Sequence, residues 1–89
     1  MRSGQVTVTT AGTAVQMTSV RGTAFAIQAL PTNTGYMYIG SDSTNLDVAS
    51  TTGYILGAGG SLALACDNLS EIWVDASVNG EKVCWIRLE

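Results

Sequence analysis

The sequence predicts an all-β chain: a small β-sandwich or jelly-roll-like barrel of seven to eight short antiparallel strands, in one domain spanning residues 1–89. Three observations predict it. Apolar residues alternate with Thr, Ser and Gly instead of recurring every three or four positions, as in Gln5-Val6-Thr7-Val8-Thr9. Glycine-bearing turn signals recur along the whole chain. A single proline in 89 residues, with no run of linker composition, leaves no place for a domain boundary.

The elements follow in order. Residues 1–4 read as a flexible N-terminal segment. Gln5 to Thr10 is a strand with Val6 and Val8 on one side and Thr7 and Thr9 on the other. Ala11-Gly12-Thr13 turns the chain into a short strand, Ala14 to Met17, and Ser19 to Thr23 is a loop carrying Arg21. In Ala24 to Leu30, Phe25, Ile27 and Ala29 share one face, with Ala24, Ala26 and Gln28 opposite; Pro31 ends it, because proline cannot donate to a ladder. Thr32-Asn33-Thr34-Gly35 is a turn, and Tyr36 to Gly40 a strand with Met37 and Ile39 on one side and Tyr36 and Tyr38 on the other. Ser41 to Thr52 is the most polar stretch and reads as a loop with a short strand at Leu46 to Ala49. Gly53 to Leu56 and Ser61 to Cys66 are strands around the tight turn Gly57-Ala58-Gly59-Gly60, and Asp67 to Ser70 is a polar corner.

The last third carries the strongest local signal. Asn79-Gly80 lies between Ile72-Trp73-Val74-Asp75-Ala76 and Lys82-Val83-Cys84-Trp85-Ile86-Arg87-Leu88, the pattern of a β-hairpin. A two-residue turn sets Ala76 opposite Val83, Val74 opposite Trp85 and Trp73 opposite Ile86. One face then holds Ile72, Val74, Ala76, Val83 and Trp85, and the other Trp73, Cys84, Ile86 and Leu88, diluted by Asp75 and Lys82. A hairpin apolar on both faces must meet a second sheet or a second chain.

Composition narrows the function. Charged residues make up 12 % of the chain, against about 25 % in ordinary domains. A surface so thinly charged is poorly defended against association, and a homo-oligomer would cover it. Net charge is −3, and Arg2, Arg21, Lys82 and Arg87 form no cluster along the sequence. Nucleic acid and anionic membranes are therefore disfavoured partners. No apolar run reaches the roughly 18 residues of a membrane span, and no apolar core follows Arg2 to make a signal peptide. Folding in a cytoplasm is expected, with Cys66 and Cys84 as reduced thiols.

Chemistry is scarce. The chain has no histidine, so the usual general base and metal ligand is missing. Gly57-Ala58-Gly59-Gly60 precedes a strand pattern and lacks the Lys-Ser/Thr pair of a phosphate loop. Asp42-Ser43-Thr44-Asn45-Leu46-Asp47 lacks the bidentate Glu of a calcium loop. Asp67, Glu71 and Asp75 read as solvated turn and edge charges rather than an acid–base pair. A non-enzymatic protein without cofactor is expected. The aromatics carry more: Trp73, Ile86, Leu88, Tyr36 and Tyr38 are the candidate contacts between protomers, and Asp42, Asn45 and Asp47 those with a larger partner.

Several segments together resemble a family. They are Ala29-Leu30-Pro31 with Asn33-Thr34-Gly35, the strand ending at Ile39-Gly40, Thr52-Gly53-Tyr54-Ile55-Leu56 and Gly59-Gly60-Ser61-Leu62. Asn68-Leu69-Ser70-Glu71-Ile72-Trp73-Val74-Asp75-Ala76 and Asn79-Gly80-Glu81 complete the set. Over residues 5 to 88 the chain resembles the small all-β structural proteins of tailed bacteriophages, some of which decorate and cement capsids while others serve tails or baseplates. The family commonly has a proline in the turn where this chain has Gly59-Gly60. The resemblance implies a virion protein on the capsid surface, made in the bacterial cytoplasm, with the major capsid protein as partner. A homo-oligomer is expected, a trimer ahead of a dimer. A tail, head-fibre or baseplate accessory with host-glycan binding is the alternative.

Overall fold

The computed structural model describes residues 2–41 and 54–89. Eight strands form two antiparallel sheets. They are β1 (Ser3–Val8), β2 (Val15–Gln16), β3 (Ala24–Ala29), β4 (Met37–Gly40), β5 (Tyr54–Leu56), β6 (Ser61–Ala65), β7 (Trp73–Ala76) and β8 (Glu81–Arg87). Sheet A has the order β1-β8-β3-β6 and sheet B the order β2-β7-β4-β5. The pairs β1–β8, β2–β7, β3–β6 and β4–β5 are those of one long hairpin folded about its middle. Two further ladders, β3–β8 and β4–β7, roll that hairpin into a sandwich. Eight strands wound in this way form a jelly roll.

The strands of sheet A follow the period of two, whereas β4 and β7 of sheet B are buried on both faces. In β3, Phe25, Ile27 and Ala29 are buried while Ala24, Ala26 and Gln28 are half-covered. Sheet A supplies Val8, Phe25, Ile27, Ala29, Val83 and Trp85 to the core, and sheet B supplies Met37, Ile39, Leu56, Val74 and Ala76. Met17, Val20 and Leu69 plug one open end from the connections. Leu69 belongs to a single 3-10 turn, Leu69–Glu71, where the sequence reading has a polar corner.

The expected hairpin does not form. β7 and β8 lie in different sheets and do not pair, because the Ser77–Gly80 connection crosses the top of the sandwich. Gly80 adopts φ +80°, as its turn role required, and donates its N–H to Val8 O at 2.8 Å. Val74 and Ala76 therefore face Val83 and Trp85 across the core rather than beside them in one sheet. β8 turns Val83 and Trp85 into the core and β7 turns Val74 and Ala76 into it, so the two strands cover each other's apolar side within one chain.

Two smaller expectations also change. Ser3 and Gly4 are not flexible but paired, with Ile86 and Trp85. Gly4 lets the Trp85 ring approach the backbone: a Cβ there would stand 3.1 Å from Trp85 Cζ2. Asp75 is completely buried rather than solvated. The short strand expected at residues 46–49 lies outside the described residues.

Removing the Trp85 ring should open a large cavity between Ile27 and Gly4, its cross-strand neighbours. Trp85→Ala is expected to lower unfolding free energy by about 3–5 kcal/mol in urea titrations. A loss below about 1 kcal/mol would contradict the core position given to the ring.

Candidate interaction surface

The register defines the outer face of sheet A. One row reads Ser3, Ile86, Ala26, Ala63, and the next Gln5, Cys84, Gln28, Ser61. Leu88 extends β8 by donating its N–H to Ala24 O at 2.8 Å, which sets Leu88, Ala24 and Ala65 in a third row. Leu88, Ile86, Ala24, Ala26, Ala63 and Ala65 thus form one apolar patch without a charge. Solvent-facing strand positions ordinarily carry polar side chains, and alanine is a poor strand former. Four alanines on adjacent outer positions therefore do not serve β-stability; they keep the face flat and open to close approach. Beside them Ala26, Gln28, Ser61, Cys84 and Ile86 line a depression of about 240 Å³. Cys84 Sγ contacts Gln28 O at 3.6 Å, and Gln28 Nε2 donates to Gly59 O at 3.2 Å.

The predicted contact residues divide over the molecule. Ile86 and Leu88 come together on this patch, and Leu88 is 46 % exposed. Trp73 lies in sheet B, half-buried, between Gln16 and Gly40. Tyr36 is exposed at the end of the sandwich, whereas Tyr38 is buried within the protomer beside Asp75. Asp42, Asn45 and Asp47 lie outside the described residues. The alanines were visible in the sequence only as the back of a strand; their alignment across β3 and β6 is a product of register.

Charge is segregated. The start of β1 and β3 and the end of β6 and β8 share one pole, so Arg2, Arg21, Arg87, Asp67, Glu71 and Glu89 gather there. Arg87 binds two of the others through their carbonyls: its N–H donates to Arg2 O at 2.8 Å and its Nη1 to Arg21 O at 3.2 Å. The cations that are scattered in sequence thus include three that meet in space. Of the charged residues described, only Lys82, Glu81 and Asp75 lie away from this pole, and the last two are buried.

The buried carboxylates hold loops. Glu81 Oε1 accepts from Thr34 N at 2.6 Å and Gly35 N at 2.5 Å. Asn33 pairs with the Lys82 backbone through both ends of its amide, at 2.8 and 3.1 Å. Asp75 Oδ1 accepts from Gly12 N and Ala76 N, while its Oδ2 has no partner among the described residues. At the charged pole Asn68 and Glu71 form a capping box, and Asn68 Oδ1 also accepts from Val20 N at 3.0 Å. Asp67, Glu71 and Asp75 therefore do not converge as an acid–base set. Among the described residues no three acidic, cysteine or histidine groups come together to hold a metal ion, and no helix is long and apolar enough to cross a membrane. Both cysteines are free thiols: Cys84 lies on the outer face of sheet A, while Cys66 packs against the core. Burial, helped by Glu71 and then Asp67, pushes the Cys66 thiol above its ordinary range.

No protein-family model, curated protein or solved structure matches this chain.

Glu81→Ala leaves the amides of Thr34 and Gly35 without their acceptor. A stability loss of about 1–3 kcal/mol is expected in thermal unfolding, with faster hydrogen exchange at both amides; unchanged exchange would contradict the latch. A raised thiol pKa means less thiolate at a given pH, so Cys66 should alkylate more slowly at pH 8 than an unperturbed cysteine and gain rate at higher pH. Alkylation at the rate of a free peptide thiol, followed by mass spectrometry, would contradict that environment.

Proposed function

We propose that the chain is a non-enzymatic virion structural protein that decorates a bacteriophage capsid and stabilises it by binding across joints between capsid subunits. The observation that carries this reading is the alanine patch on the outer face of sheet A, whose six residues carry no charge, with Lys82 the one charged residue of that face and, among the described residues, the other exposed charges drawn to one pole. Such a patch loses little solvation when covered, because it buries no ion. The charged pole keeps one end of the molecule wetted. Contact made only with an assembled shell stabilises that shell by linkage, and repetition on a lattice lets modest single-site affinities add up. The jelly roll supports the reading by analogy alone, since viral capsid domains and lectins both use it. The resemblance of the turn and strand segments to phage structural proteins supports it from the sequence side.

Quantitative mass spectrometry of purified virions tests the role. Hundreds of copies per particle are expected; three to about a dozen would assign the chain to a tail, fibre or baseplate instead. Ala26→Glu places a charge at the centre of the patch and should abolish co-sedimentation with emptied capsids while the isolated protein keeps its melting temperature. Undiminished binding by that variant would remove the face from the interface.

A further inference from the structure

Among the described residues β1 and β6 are the edges of sheet A, and the edge at β6 carries a second surface. β6 is Ser61-Leu62-Ala63-Leu64-Ala65, with no charge, proline or glycine. No charged residue occurs anywhere from Val48 to Cys66. Its ladder to β3 runs without a bulge from Ala24↔Ala65 to Gln28↔Ser61. Natural edge strands are guarded by charge, proline, bulges or shortness. The edges of sheet B use shortness, with β2 two residues long and β5 three. β6 uses none of these devices.

We propose that β6 is a pairing strand whose occupant is β6 of a second copy, joined antiparallel across a two-fold axis at Ala63 into one eight-stranded sheet. The inference goes beyond shell binding and does not depend on it. The backbone sets the register. Ala29 donates to Gly60 O at 2.9 Å, and the alternation of an antiparallel ladder then turns the N–H and C=O of Leu62 and Leu64 toward β3. The same groups of Ser61, Ala63 and Ala65 point out from the edge. A two-fold axis at Ala63 places Ala63 opposite itself and Ser61 opposite Ala65 of the second copy, which joins these outward groups in about six main-chain hydrogen bonds.

The side chains agree with that register. Leu62 and Leu64 face the core but stay half-exposed, and among the described residues no strand lies beyond β6. The axis at Ala63 sets Leu62 against Leu64 of the second copy, so each copy closes the other's apolar seam. A shift of one residue would set leucine against alanine and lose this match. On the outer side Ala63 and Ala65 meet only small partners, and the two alanine patches merge into one. Strand length and the 18 Å thin axis of the molecule give a contact of about 300 Å² per copy. That is below the roughly 800 Å² of a standard interface, so the association is expected in the micromolar range or weaker.

Sedimentation equilibrium of the full chain tests the pairing. The wild-type chain should pass from monomer to dimer as concentration rises toward about 1 mM. Ala63→Pro removes an N–H that points away from β3, so the protomer's own ladder keeps its bonds while the pairing loses its centre. Ala65→Lys adds the missing edge charge at an exposed position. Both variants should weaken dimerisation roughly tenfold or more, with melting temperature in dilute solution unchanged. The amides of Ser61, Ala63 and Ala65 should gain protection from hydrogen exchange on concentrating the wild-type protein. A wild-type chain that stays monomeric, or an oligomer of any size that both variants leave intact, overturns the proposal. Neither result bears on copy number in virions, so this pairing and the shell-binding role stand or fall separately.

Discussion

The structure depends on the crossing between β7 and β8. These strands leave the same turn, yet one enters sheet B and the other sheet A. Each then serves as the central strand of its sheet: β7 joins β2 to β4, and β8 joins β1 to β3. Without that divergence the long hairpin would stay open, with its apolar face in water. The crossing is held by ordinary hydrogen bonds. Gly80 N–H reaches Val8 O, Ala11 N–H reaches the Asn79 side chain at 2.7 Å, and Ser77 and Tyr36 exchange bonds between backbone and hydroxyl. These contacts tie the turn to both neighbouring loops, so its direction is set by tertiary partners rather than by its own sequence.

Long-range pairing of this kind places heavy demands on the connections. The loops of a jelly roll cross between sheets, and their backbone groups cannot all find strand partners. In this chain, buried or half-covered polar side chains replace the missing ladder. Glu81 serves the loop between β3 and β4, Asp75 the turn between β1 and β2, and Asn68 the segment before β3. A carboxylate accepting from backbone N–H groups makes a stronger bond than a neutral acceptor. The few acidic residues of a sparsely charged chain are thus partly structural, which leaves its outer surfaces more neutral than composition alone implies.

That neutrality distinguishes the alanine patch of sheet A from the pole. Where Arg2, Arg21, Arg87, Asp67, Glu71 and Glu89 gather, solvation is strong and contact with a partner would require its loss. Across Ala24, Ala26, Ala63 and Ala65 there is little to desolvate, and the small side chains let another surface come near. The unguarded edge of β6 continues the same neutral region. The alanine patch and the edge of β6 thus adjoin, while most of the exposed charge described lies at the pole opposite Asn79-Gly80.

The sequence by itself determined the strands. All eight described strands fall where apolar runs between turn residues place them, because each strand's inner face must be apolar whichever strand lies beside it. It also determined that the surface would be sparsely charged, and that Ile86 and Leu88 would stand on one side of their strand. Only the tertiary structure decided which strands pair. Asn79-Gly80 is compatible with a tight hairpin and with the crossing turn observed, since glycine supplies the positive φ that Gly80 adopts here. Burial in a common core, available once the two sheets meet, selected the crossing. The same choice separated Trp73 from Ile86, buried Asp75 and Tyr38, and brought the alanines of β3 and β6 into one patch. These outcomes rest on cross-strand register between residues some 40 positions apart, a distance over which local propensity carries no information.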